Sequence, residues 1–202
     1  MLFVALNGSP QKEGNTAALL EQGLFVAREK GYDTKWIHVV DALEGAKVPF
    51  CNQCTSSCIG QCAEGNTLGD AFELLREADG VLIGTPVYFG TASGQLKGFW
   101  DKTRGLRRSK ALLNTVGGVV TSGAARFGGQ EMALQAVVNM MLVQGMTVVG
   151  DGQMGFDCGH FGACAQKPAS KDTGALERAR ITMLRVIEVA EATRHLRRQA
   201  EA

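Results

Sequence analysis

Short apolar runs alternate along the chain with longer stretches whose apolar residues recur every three or four positions. "LFVAL" (2–6) is a continuous apolar run and predicts a buried strand. "NTAALLEQGLFVAREKG" (15–31) follows with helical spacing and Gly31 as its stop. The alternation continues with strand 34–41, helix 68–79, strand 80–86, helix 90–105, strand 113–122, helix 128–145, strand 146–150 and an amphipathic helix over 172–198. Five apolar strands separated by helices predict an α/β fold, with a parallel sheet covered on both faces. Ligands of such sheets collect beyond the carboxyl ends of the strands, so the loops after strands one, three and four are the informative ones. No internal repeat, low-complexity tract or linker interrupts the pattern. Residues 1–202 are therefore expected to form one domain, with a cysteine-rich loop over 47–66 after the second strand.

The composition narrows the function classes. A formal charge of +1 on 202 residues gives no reason to expect nucleic acid or an anionic membrane as partner. No run approaches the ~20 apolar residues of a membrane span, and "MLFVALNGSP" lacks the basic start of a secretory leader. A cytoplasmic chain with reduced thiols is the expectation. The 26 glycines suit a chain with many tight turns or close backbone approaches to a ligand.

"NGSPQKEGNTAALL" (7–20) joins the first strand to the first helix. It is neither a Walker loop nor a G-x-G-x-x-G turn. Ser9 and Thr16 bring hydroxyls, Gln11 and Asn15 bring amides, and Gly8 and Gly14 bring flexible backbone to a helix N-terminus. Free N–H groups and the helix dipole favour an anion there, and a phosphate is the natural occupant. The plainer alternative is a turn capped by Asn15 or Thr16.

Here a resemblance becomes specific. "GSPQKEGNT" resembles the phosphate loop of the NAD(P)H-dependent FMN reductases, a flavodoxin-like superfamily. "GTPVYFGTASGQLKGFWDK" (84–102), "SGAARFGGQE" (122–131) and "GMTVVG" (145–150) are similar to that family's further segments, in the same order. The resemblance implies a flavodoxin-like three-layer sandwich that binds FMN, with NAD(P)H as co-substrate. It implies phosphate contacts from Ser9, Gln11, Asn15 and Thr16. It also implies that the flavin ring lies against Pro86, Val87, Tyr88, Phe89 and Gly90, with Ser122, Gly123, Gly128 and Gly129 completing the pocket. Read alone, Tyr88 and Phe89 would instead cap the core. No nucleophile–base pair is evident, which suits chemistry carried by a cofactor. Of the three histidines, His38 and His195 read as structural, and His160 in "CGHFGAC" has a second reading, approach to the flavin from the loop after strand five.

"CNQCTSSCIGQC" (51–62) places Cys51, Cys54, Cys58 and Cys62 at spacing C-x2-C-x3-C-x3-C. Three readings compete. The last three could line one buried helix face. Four thiolates could hold zinc, although zinc sites usually pair two knuckles across a longer gap. A short run of four thiolates matches iron–sulfur ligation more closely. The chain resembles the iron–sulfur flavoprotein branch of the superfamily, which carries a compact four-cysteine motif in this loop. That resemblance implies a [4Fe–4S] cluster on these four residues. It implies a homodimer or homotetramer, with NAD(P)H or ferredoxin as electron donor. A cluster-free NAD(P)H-dependent FMN or quinone reductase, and a non-catalytic electron carrier or redox sensor, are the alternatives. The basic stretch "KTRGLRRSK" (102–110) and Arg178, Arg185 and Arg197 read as solvated faces, with a subunit contact or a 2′-phosphate of NADPH as further readings of the former.

Overall fold

The computed structural model describes residues 1–198; the last four residues of the 1–202 unit lie outside the described residues. The chain runs β1 (Leu2–Asn7), α1 (Asn15–Glu29), β2 (Asp33–His38), α2 (Val39–Glu44), α3 (Thr67–Glu77), β3 (Gly80–Pro86), α4 (Gly94–Lys102), α5 (Arg104–Arg108), β4 (Val116–Gly123), α6 (Gln130–Val143), β5 (Thr147–Val148), β6 (Ala163–Gln166), α7 (Thr173–Ala192) and α8 (Arg194–Arg198). All strand pairings are parallel, in the order β2-β1-β3-β4-β5. The order reverses direction between β1 and β3, and in open α/β sheets that switch point opens a crevice at the strand ends.

The central strands β1, β3 and β4 are buried on both faces. Val4, Leu6, Val81, Ile83 and Val119 pack with residues of α2, α3, α4 and α6. Phe3, Ala5, Leu82, Val116 and Val120 pack with α1 and α7 on the other side. The period of two within continuous apolar runs makes the three layers: each of β1, β3 and β4 offers apolar side chains to both helical layers.

Several expectations need correction. The predicted second strand stops at His38, and residues 39–44 turn into α2. The cysteine loop therefore follows a short helix rather than a strand. The predicted helix 90–105 begins at Gly94, because Ser93 caps it with its side chain accepting from Leu96 N–H. The fifth strand is only two residues long. A second fragment, β6, pairs with the same edge of β4: Val116 and Gly117 face β5, while Val120–Gly123 face β6. The sheet has six strands in five positions, the fifth interrupted by residues 149–162. The predicted terminal helix breaks at Thr193 into α7 and α8.

Candidate functional site

Three loops meet at the carboxyl end of β1, β3 and β4. The first is organised by Asn7. Its Oδ1 accepts the Ser9 N–H at 3.0 Å, and its Nδ2 faces the carbonyls of Gln11 (3.2 Å) and Lys12 (3.3 Å). The Ser9 hydroxyl accepts the Gln11 N–H at 3.0 Å. Gly8 lies so close to α4 that a Cβ there would meet Leu96 Cβ at 2.8 Å and the Gly84 carbonyl at 2.9 Å. Only glycine fits. The N-cap of α1 is Gly14, at φ 142°, and no side chain caps the helix. Asn15 and Thr16 are thus not caps, which corrects the plain turn-and-cap reading. The first-turn N–H groups stay free of side-chain partners, in the arrangement that suits an anion.

Asn15 and Thr16 have other tasks. Asn15 Oδ1 accepts the Ala169 N–H at 2.8 Å and ties the loop to the segment before α7. The Thr16 hydroxyl lies 3.1 Å from that of Ser122, linking the start of α1 to the end of β4. Ser9, Thr16 and Ser122 are all buried.

The second loop turns tightly. Tyr88 and Thr91 exchange both backbone hydrogen bonds, with Phe89 at φ 49° and Gly90 at φ 75° between them. Two successive positive φ values make a primed turn. A bulky residue in that region is strained. Phe89 is fully exposed at the tip and Tyr88 is exposed beside it, so neither caps the core. The Val87 N–H donates to the Ser122 carbonyl at 2.9 Å. The Ser93 hydroxyl donates to the Gly8 carbonyl, joining the second loop to the first.

The third loop is held by Gln130, which the sequence did not single out. This buried amide donates to the Ala125 carbonyl at 2.7 Å. A Cβ on Gly129 would meet Gly90 Cα at 3.1 Å, so the second and third loops touch. Residues of all three predicted segments are therefore brought together.

His160 stands on the loop that interrupts the fifth strand. Its Nδ1 is 3.0 Å from the carboxylate of Asp151, which is 0% exposed and also paired with Arg178 at 3.0 Å. Arg178 reaches the Asp157 carboxylate at 3.1 Å as well. Its guanidinium pKa is raised, first by the hydrogen bond to Asp157. Arg197 pairs with Asp79. These two arginines are structural ties rather than a solvated face; Arg185, paired with Glu188, stays at the surface.

Cys51, Cys54, Cys58 and Cys62 lie on a different loop, without regular structure except the turn Gln61–Ala63. All six cysteines are unpaired. Cys54 is exposed and Cys51, Cys58 and Cys62 are half-buried, so they line no buried helix face. Among the described residues no three metal-ligating side chains stand together. The loop is pinned from outside. The Asn66 amide donates to the Cys62 carbonyl at 3.0 Å, and the Gly45 N–H donates to the Thr67 hydroxyl at 3.1 Å. Lys102 Nζ donates to the Phe50 carbonyl at 3.3 Å, and Arg104 donates to the carbonyls of Thr55 (3.2 Å) and Ser56 (3.0 Å). The stretch 102–110 is thus, in part, a support for the loop rather than a solvated helix end. Burial pushes the Cys62 thiol pKa up and the Lys102 ammonium draws it down. The donor chemistry fits a thiolate-bound group: four unpaired thiols share one loop whose backbone is not committed to a ladder, and the buried Lys102 ammonium is near Cys62.

The description "NADPH-dependent FMN reductase" belongs to the family model that matches residues 1–161. The chain belongs to that family. It is a flavin-dependent oxidoreductase of the NADPH-dependent FMN reductase type, and among its relatives are proteins named iron–sulfur flavoproteins. One, from Methanocaldococcus jannaschii, is 36% identical over 195 residues, covering 95% of this chain and 98% of the relative. Another, from Methanosarcina thermophila, is 32% identical over 192 residues, covering 95% and 96%. The fold matches that of a solved flavodoxin, WrbA-like protein from Agrobacterium tumefaciens, with TM-score 0.63 at 24% identity, covering 95% of this chain and 98% of that one. Among the described residues no helix is long and apolar enough to cross a membrane.

Proposed function

We propose that this reductase binds FMN in the crevice at the ends of β1, β3 and β4. It would draw electrons from NAD(P)H or a ferredoxin, and carry a [4Fe–4S] cluster on Cys51, Cys54, Cys58 and Cys62. The observation that carries the flavin site is the open N-terminus of α1 beside the touching loops 86–90 and 122–129. The Ser9 and Thr16 hydroxyls and the first-turn N–H groups would hold the phosphate, with the Gln11 and Asn15 amides flanking it. Pro86, Val87, Tyr88, Phe89 and Gly90 would wall one side of the ring. Ser122, Gly123, Gly128 and Gly129 would close the other. When bound, FMN supplies exchange between two-electron and one-electron transfers, and a cluster supplies single-electron transfer. The chain's own part is to bind, orient and shield. Gly8 lets α4 close against the first loop, and Gln130 holds the third loop in place.

Four unpaired thiols in twelve residues support the cluster. A cluster-free reductase is the second reading, favoured by the separation of those thiols. Anaerobic reconstitution with iron and sulfide separates the two. The cluster reading expects about four iron and four sulfide per chain, lost on Cys58→Ser because a hydroxyl is a poorer iron ligand than a thiolate. FMN content should stay unchanged in that variant. A parent that takes up zinc and no iron, with flavin intact, leaves the cluster-free reductase. Exposed Phe127, Met132, Leu142 and Val143 support a homodimer or homotetramer, which sedimentation of the full chain would test.

A further inference from the structure

Lys102 closes α4 and is 2% exposed. Its ammonium has one hydrogen-bond partner among the described residues, the Phe50 carbonyl at 3.3 Å. The neighbouring acid, Asp101, is held by Lys97 at 2.6 Å. A buried cation with a single neutral partner is costly unless an anion stands close to it. The segment above it contains no Asp or Glu between Lys47 and Ala63. Within that segment the only side chains that can become anions are Cys51, Cys54, Cys58 and Cys62; the loop's one carboxylate, Glu64, comes after Ala63.

The surroundings are built to bring the loop down onto that cation. Gly98 leaves only 3.2 Å between a notional Cβ and the Pro49 carbonyl, so α4 packs directly under Pro49 and Phe50. Gly105 lies under Gly60 and Cys58, where a Cβ would stand 3.6 Å from the Gly60 backbone and 3.9 Å from the Cys58 sulfur. Between these two glycines come Lys102 and Arg104, the first on the carbonyl before Cys51 and the second on the carbonyls after Cys54.

We propose that Lys102 is the resident counter-cation of the cysteine loop, a positioning residue that fixes the Phe50–Cys51 backbone and sets a positive charge beside the centre this loop would hold. The inference rests on the cluster reading above and adds to it a residue outside the cysteine motif. Reduction of such a centre adds negative charge. A fixed positive charge beside it therefore raises the reduction potential, and removing that charge lowers it.

The test compares the parent, Lys102→Gln and Lys102→Met as full chains, first without metal and then reconstituted anaerobically with ferrous iron and sulfide. Glutamine keeps a donor for the Phe50 carbonyl and loses the charge; methionine loses both. Without metal, Lys102→Met should melt at or above the parent temperature, because an uncompensated buried charge has gone. After reconstitution, both variants should release iron to a chelator about tenfold faster. Both should show a potential lower by a tenfold change in the one-electron equilibrium, about 59 mV. A Lys102→Gln protein with the parent's potential and iron retention overturns the inference, since only the hydrogen bond would then matter. If Lys102→Met fails to fold, Lys102→Gln decides alone. A parent that takes up no iron fails at the preceding step and removes the cluster reading together with this one.

Discussion

The side-chain amide of Asn7 meets the imidazole of His38 across neighbouring strands, Nδ2 to Nδ1, at 3.2 Å. An amide nitrogen only donates, so Nδ1 accepts and the ring proton sits on Nε2. The ring is also stacked on Trp36, with centroids 5.3 Å apart. The same Asn7 organises the phosphate loop, so His38 supports that loop from behind.

This relationship sets a pH dependence. Partial burial lowers the His38 pKa below its ordinary 6.5; Lys12 lowers it further and Asp41 opposes. Lys12 and Asp41 are themselves paired at 2.7 Å. With the folded pKa depressed, the unfolded state binds more protons below pH 6.5, and stability falls as pH drops through that window. Melting temperature should decline between about pH 7 and about pH 5. The part of that decline due to this ring should vanish in His38→Gln. A variant with the parent's slope would place the titration elsewhere.

The phosphate loop makes a second prediction. Ser9→Ala with Thr16→Ala removes two buried hydroxyls beside the open end of α1. A hydrogen bond to a charged group is worth about 1.5–3 kcal/mol, so FMN affinity should fall at least about tenfold. Riboflavin, which lacks the phosphate, should bind parent and variant alike. Equal loss for both flavins would mean that the loop had collapsed rather than lost an anion contact.

Phe89 makes the opposite test. It is strained at φ 49° and exposed, so its side chain contributes little to the core. Phe89→Gly should leave the melting temperature unchanged or raise it, by relief of about 1 kcal/mol of backbone strain. FMN and riboflavin affinity should fall by the same factor, because the ring and not the phosphate would lose a wall. Unchanged affinity for both would remove Phe89 from the site.

Arg178→Ala concerns the loop after β5. It leaves the fully buried Asp151 carboxylate with only His160 opposite. Breaking one side of a buried pair typically costs about 3 kcal/mol, and urea unfolding should show a loss of that order. A loss below about 1 kcal/mol would show that water reaches Asp151 once the arginine is gone.

Strands β1, β3 and β4 were legible in the sequence because they are continuous apolar runs buried on two faces. The loops after them carried recognisable residues. The fragment "ACAQ" (163–166) was not legible: it has no branched or aromatic residue, and it is a strand only because β4 offers it an edge. Val39 and Val40 continue the apolar run of the second strand in sequence, yet they open α2. The site was read as a set of contacts, whereas much of it is support. Gly14 rather than Asn15 heads α1, Asn15 ties to Ala169, and Gln130 braces the third loop. Lys102 looked like one more surface cation, since its burial depends on Phe50, fifty-two positions away. Such support is invisible to spacing because it joins residues far apart in the chain.

β5 and β6 lie in line along one border of β4, so the chain leaves that border at Val148 and rejoins it at Ala163. Between them the excursion has a third fixed point, the buried Asp151 paired with Arg178. The excursion carries the exposed Cys158, His160 and Phe161. Variation in this stretch is therefore open on either side of Asp151 but not at it, because the Asp151–Arg178 pair fastens the excursion to α7.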